Sequence, residues 1–303
     1  MDVECLKTLN CNQGAVRAVR FNVDGAYCLT CGSDKKLKLW NPYRNLLLKT
    51  YAGHGNEVLD ACGSCDSSQI VSCGADKSVI IWDVSSGTPL RRLRGHASNV
   101  TCVRFNEESS VAISGSLDNC VMCWDVRSRK NEPIQVLKDA KDSISSIQVT
   151  DHLILTGSLD CRIRQYDIRT GDLVTDFIGE PVLGASFTGD GQCVVVGCAD
   201  NHVRLFDKDS GEMLGEYGGH QTGDFRVESG VDNTDAFILS GATDGYIYCW
   251  DMVKAEIASR LEHAPGVVVN SIHPHPNKGA LVSAAGPTVK LWGKPEFLDS
   301  DVE

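Results

Sequence analysis

The stretch "GHASNVTCVRFNEESSVAISGSLDNCVMCWDV", Gly95 to Val126, holds the architecture in a single copy, because its pattern recurs along the whole chain. Within it "NVTCVRF", "AISGS" and "NCVMCW" alternate apolar and polar residues between turn formers, and "IQVL" at 134–137 supplies a fourth run. That is the pattern of short antiparallel strands. Trp124 lies six positions after Asp118. The same spacing joins Asp34 to Trp40, Asp76 to Trp82, Asp160 to Tyr166, Asp200 to Phe206 and Asp244 to Trp250, and Gly286 stands in for the acid before Trp292. Successive aromatics are 42, 42, 42, 40, 44 and 42 residues apart. A unit of that size cannot bury its own apolar face, so neighbouring units must stack.

The aromatic is followed by aspartate at Trp82-Asp83, Trp124-Asp125 and Trp250-Asp251, and the pair is weakened at Trp40-Asn41, Tyr166-Asp167, Phe206-Asp207 and Trp292-Gly293. This period and ending resemble the WD40 repeat, which implies an all-β, seven-bladed propeller of four-stranded blades. The turns "DVSSG", "DIRTG" and "DKDSG" end at Gly87, Gly171 and Gly211, as a left-handed glycine in a bulged hairpin requires. After Trp292 only "GKPEFLDSDVE" remains, too little for a fourth strand, whereas "ECLKTL" at Glu4 to Leu9 repeats the fourth-strand pattern of "LLLKTY". The N-terminal strand is therefore expected to complete the last blade and pair the edges at the seam. One domain over 1–303 follows: a closing strand at 1–9, seven repeats over 10–292 and an acidic tail at 293–303.

The mean hydropathy of -0.14 and the lack of a long apolar run predict a soluble intracellular protein with no membrane contact. A formal net charge of -11 argues against direct nucleic-acid binding. Arg91, Arg92, Arg94, Arg127, Arg129 and Lys130 form a local basic group, read as solvated charge or a docking patch. Fourteen cysteines include CxxC pairs at Cys28/Cys31, Cys62/Cys65 and Cys120/Cys123. Cys28 and Cys31, like Cys120 and Cys123, fall in one strand, where residues three apart face opposite sides and cannot share an ion. Reduced, packed thiols are expected, with no metal and no cofactor.

Three repeats carry His, Ser, Asp and Trp together: His54, Ser72, Asp76 and Trp82; His96, Ser114, Asp118 and Trp124; His220, Ser240, Asp244 and Trp250. Serine, histidine and acid suggest a nucleophile with its base, but three copies argue for a structural role. In the repeats they resemble, Asp accepts from His, His bonds Ser, and Ser accepts from the Trp indole. The first repeat has Asn12 in place of His, and the fourth and fifth lack it, so those blades are expected to be held less firmly. No catalytic residues are expected.

Alignment to "GHASNVTCVRF" places Arg17, Leu59, Leu183 and Val268 at the start of first strands, and Leu117 and Leu159 just before landmark acids. Phe225 falls in an insertion of the sixth repeat. By the WD40 resemblance these face one rim of the channel, where they form an apolar protein-binding ring with Arg17 at its margin unless neighbouring loops cover it.

Several stretches are more specific than the repeat: Lys7 to Pro42, "RFNEE" at 104–108, "CWDVRSRK" at 123–130 and "LFDKDSGEMLGEYGGH" at 205–220. They resemble the mitogen-activated protein kinase organizer 1 (WD repeat-containing protein 83) family. The resemblance implies a monomeric, non-catalytic scaffold in cytoplasm and nucleus. Its implied partners are components of the extracellular-signal-regulated kinase cascade, hypoxia-inducible-factor prolyl hydroxylase and spliceosomal proteins of pre-mRNA splicing. A second resemblance rests on Trp124-Asp125-Val126-Arg127 and Tyr166-Asp167-Ile168-Arg169. Such boxes occur in substrate receptors of cullin-RING ubiquitin ligases, where Arg127 and Arg169 would contact the adaptor.

Overall fold

The computed structural model describes residues 3–223 and 225–297, and among these run twenty-eight strands, β1 to β28, in seven four-stranded antiparallel sheets. The third blade shows the common plan: β10 (Val100–Phe105), β11 (Val111–Ser116), β12 (Val121–Asp125) and the short β13 (Gln135–Leu137), ordered from the channel outward. Its alternation buries Val100, Val103 and Phe105 against the neighbouring blade, while Trp124 is covered on every side. Each interface between blades carries a cluster of this kind, so the core is a ring of wedges rather than one centre.

The seam closes as the sequence predicts. Strand β1 (Glu4–Asn10) pairs with β28 (Thr288–Gly293), which holds Trp292, in a sheet ordered β1, β28, β27 (Leu281–Ala285), β26 (Val269–Pro274). Leu9 is fully buried there beside Val289 and Leu291. Of the acidic tail, Pro295–Phe297 form a single 3-10 turn, and 298–303 lie outside the described residues. Gly87, Gly171 and Gly211 have φ of 77°, 79° and 70°, the left-handed geometry their turns demanded.

A bulge opens the first strand of six blades, at Arg17, Leu59, Thr101, Ser145, Leu183 and Asn270. In blade seven the sequence alignment is therefore two residues out of register: Val268 precedes the strand and Asn270 takes the bulge, its amide donating to the carbonyls of Val16 and Arg17. In blade six the inner strand β22 shrinks to Ser229–Val231, and residues 221–223 and 225–228 are irregular.

Candidate functional site

Two of the three expected networks form. In blade two the His54 ring contacts the Asp76 carboxylate through Nδ1 at 3.1 Å and Ser72 Oγ through Nε2 at 2.7 Å, and the Trp82 indole donates to Ser72 Oγ at 2.8 Å. Blade three repeats this at 3.0, 2.8 and 2.8 Å with His96, Asp118, Ser114 and Trp124. Burial works against the Asp76 carboxylate, but His54, the Gly55 N–H and Ser78 outweigh it and hold its pKa well below the carboxylate range. Burial likewise lowers the pKa of His96, against the pull of Asp118, and favours a neutral ring. No serine here faces solvent: Ser72 and Ser114 are fully buried. The triads are struts.

The third network is corrected by the structure. Tyr248 Oη donates to Asp244 at 2.8 Å, the Trp250 indole turns to the carbonyl of Gly218 at 3.1 Å, and Ser240 bonds the carbonyl of Gly241. Both His220 nitrogens have no partner among the described residues. The cause lies four residues after the landmark acid. That position is apolar in the two intact blades, Ile80 and Met122, but Tyr248 in blade six can reach the acid itself. In blades four and five it is arginine, and Arg164 and Arg204 pair with Asp160 at 2.6 Å and Asp200 at 2.5 Å. Those blades thus replace the missing histidine with an ion pair, against the expectation of looseness. In blade one Gln13, not Asn12, fills the gap: its Oε1 accepts from Thr30 Oγ1 at 2.5 Å, and Thr30 accepts from the Trp40 indole at 3.0 Å. Blade seven has a network that the alignment missed, with His263 bonding Ser283 at 2.7 Å and Thr288 at 3.2 Å. His263 lies 29 residues before Trp292, where His54 and His96 lie 28 before Trp82 and Trp124.

The rim residues assemble in part. In five blades the N–H before the landmark acid bonds the carbonyl just before the same blade's inner strand, as in Ala75 to Glu57, Leu117 to Asn99 and Leu159 to Ser143, at 2.9 to 3.0 Å. This repeated bond brings the two sets of positions onto one face. Phe225 and Leu117 are 55% and 42% exposed, with Val267 at 38%. Leu59, Leu159 and Val268 are half-buried, whereas Leu183 is buried and leaves the ring. Arg17 is exposed and pairs with Glu57 at 3.0 Å. Val267 lies outside both sets of aligned positions.

Of the basic group, Arg91 donates to the carbonyls of Asp125, Val126 and Lys130, and Arg92 reaches Gly53 and Asp76. Both stitch neighbouring segments together. Arg127 and Arg169 project at matching turns of adjacent blades, where Asp125 and Asp167 accept from the turn's own N–H groups. Cys28 and Cys31 are both buried, and burial raises each thiol pKa. No group of three or more metal-binding side chains occurs among the described residues.

The sequence reading missed the channel entirely. Arg20 lies between Asp60 at 2.9 Å and Glu228 at 2.5 Å, and Arg104 reaches Asp60 at 2.6 Å. Ser271 donates to Glu228 at 2.7 Å. Burial disfavours every charge here, yet the mutual attractions prevail: Asp60 and Glu228 are held below the usual carboxylate range. Burial, reinforced by Arg20 and Arg104, drives the pKa of His273 down to about 3, so its ring is neutral. The network ties blades one, two, three, six and seven across the axis. Its members are ordinary-looking residues on or just before inner strands, and only the ring closure brings them together.

The description "WD domain, G-beta repeat" matches this chain at 3–41, 45–83, 87–125, 131–167, 171–207 and 211–251. The chain is 59% identical to WD repeat domain-containing protein 83 of Rattus norvegicus over 292 residues, covering 96% of this chain and 92% of the relative. The Homo sapiens protein of that name is 56% identical over 296 residues, with 98% and 94% covered. A Dictyostelium discoideum homologue is 32% identical over 323 aligned positions, with 97% and 99% covered. With its seven blades, its sealed ring and this full-length similarity, the chain belongs to the WD repeat domain-containing protein 83 family.

Proposed function

We propose that this propeller is a non-catalytic scaffold that gathers components of the extracellular-signal-regulated kinase cascade, hypoxia-inducible-factor prolyl hydroxylase and spliceosomal proteins, in cytoplasm and nucleus. A protein-interaction scaffold is what a WD40 propeller of this family is. The finer reading is supported by the family resemblance of the segments at 7–42, 104–108, 123–130 and 205–220. The observation that carries the binding site is the rim itself: Leu117, Phe225 and Val267 stand exposed, and so does Arg17. An exposed apolar patch that includes a phenylalanine and an arginine suits a protein partner, since aromatic and arginine anchors often dominate the energy of interfaces.

Leu117→Asp with Phe225→Asp places unpaired carboxylates where a partner would desolvate them. Recovery of kinase-cascade and splicing proteins with the tagged chain from cells should fall at least about tenfold, the consequence of losing hot-spot contacts. The fold should survive, because both residues are exposed. Unchanged recovery of those partners removes this rim from the proposal. A ligase-receptor reading is favoured by the matched exposure of Arg127 and Arg169 on neighbouring blades. Arg127→Ala with Arg169→Ala abolishes adaptor recovery if that reading holds, and recovery of no adaptor by the unmutated chain excludes it.

A further inference from the structure

The charge network fills only one side of the channel. Beside it lies a cavity of about 490 Å³, lined on one wall by Arg20, Arg104 and Arg226 and on the other by Ser146, Gly184 and Ser186. The void follows from the sequence of the inner strands. At one level of the channel blade two carries Asp60, where blades four and five carry Ser146 and Gly184; two residues on, blades one and three carry Arg20 and Arg104, where blade five carries Ser186. Large charged side chains thus face small ones across the axis.

Around this cavity the hydrogen-bond inventory is unbalanced toward donors. Arg20 Nε, Arg226 Nε, Ser186 Oγ and Ser229 Oγ are buried without partners among the described residues, and all four belong to residues lining it. Orphaned polar atoms are costly, and native proteins rarely leave several together unsatisfied. The ion pairs are uneven in the same sense. Three guanidiniums meet the two carboxylates of Asp60 and Glu228, and Arg226, whose Nη1 reaches across to the Thr101 carbonyl at 2.8 Å, has no ion pair among the described residues. Asp232, a third lining acid, is occupied by Thr234 and by the N–H groups of Ala236 and Phe237.

We propose that the channel is a binding site for a small oxyanion, a phosphate or carboxylate group, held between Arg226 and the free edge of Arg20 with Ser186 as a further donor. Such a ligand supplies acceptor lone pairs for the orphaned donors and a counter-charge for Arg226. Guanidinium groups suit it because they present several N–H donors in a fixed plane.

The test uses the full chain, with inorganic phosphate and acetate as probes. Thermal unfolding and calorimetric titration are followed against sodium chloride at matched ionic strength, because a ligand of the native state raises its stability in a saturable way. The expected result is a saturable rise in midpoint with phosphate or acetate and none with chloride; the better probe identifies the head group. Arg226→Gln keeps a donor for Thr101 but removes the charge, and should weaken binding at least about tenfold, as loss of a charge-assisted bond implies. Ser186→Ala removes only an unpartnered hydroxyl and should weaken it several-fold; it decides the matter if Arg226→Gln does not fold. If neither probe exceeds chloride, solvent holds these donors and the proposal fails. It fails equally if binding is undiminished in the variants that fold, since the anion then sits elsewhere.

Discussion

His96 and His220 occupy the same place in their repeats, yet their surroundings make opposite predictions. His96 bonds on both nitrogens, so His96→Ala and Asp118→Ala should each cost about 1 to 3 kcal/mol by leaving buried partners unsatisfied. Their combination should cost less than the sum, because the two act on one network, and a double-mutant cycle by chemical denaturation reads the coupling directly. Full additivity contradicts the shared network. His220 bonds nothing among the described residues and packs edge-on against Trp250 at 5.1 Å. Burial, aided by nearby His202, lowers its pKa to about 4. The unfolded chain therefore binds a proton that the folded one refuses between the ordinary histidine value and about 4, so stability is full above that window and lost as pH falls through it. His220→Phe should be neutral or stabilising at pH 7 and should flatten the acid decline, measured as unfolding free energy from pH 7 to 4. An unaltered pH profile refutes that assignment.

At the level of strands and blades, the closing pair β1 and β28 carries the sharpest expectation. It joins Glu4 to Gly293 at one end and Asn10 to Thr288 at the other, and buries Leu9 completely. Leu9→Ala should cost about 2 to 5 kcal/mol, the usual range for emptying a buried leucine site. Removal of residues 1–9 should lower the unfolding midpoint further, because it also strips β28 of its partner and bares the edge of the sheet. Equal midpoints for truncated and full chains refute the closure. This element was legible in advance because "ECLKTL" carries the fourth-strand pattern and the last repeat lacks one. The blade-six network was not, since the repeat shows His, Ser, Asp and Trp in place but not that Tyr248 lies close enough to take the acid. Gln13 and His263 escaped for a related reason: each does the work of the histidine from a position one residue out of step, counted back from its tryptophan.

Across the whole molecule, what the period revealed was the ring, and what it hid was the axis. Inner-strand residues such as Arg20, Asp60 and Arg104 look unrelated in the chain, being 40 and 44 positions apart, and their meeting depends on blade order and on the bulges that set strand register. Arg20 and Glu228 are separated by 208 positions and still form a pair at 2.5 Å. The rim was partly legible, since a fixed offset from each landmark acid selects one face, but exposure is decided locally: Leu183 turns in and Phe225 turns out.

The pairing of Leu9 with Val289 also fixes an order of events during biosynthesis. Strand β1 leaves the ribosome some 280 positions ahead of the strand it pairs with, and must wait for it. At about 5 to 20 residues per second that interval is roughly a quarter of a minute to a minute. Throughout it the nascent chain exposes β1, with Leu6 and Leu9, and an open edge on each growing blade. Translation speed and access to chaperones that shield such edges therefore bear on the yield of closed rings, even though they leave the stability of a finished ring unchanged.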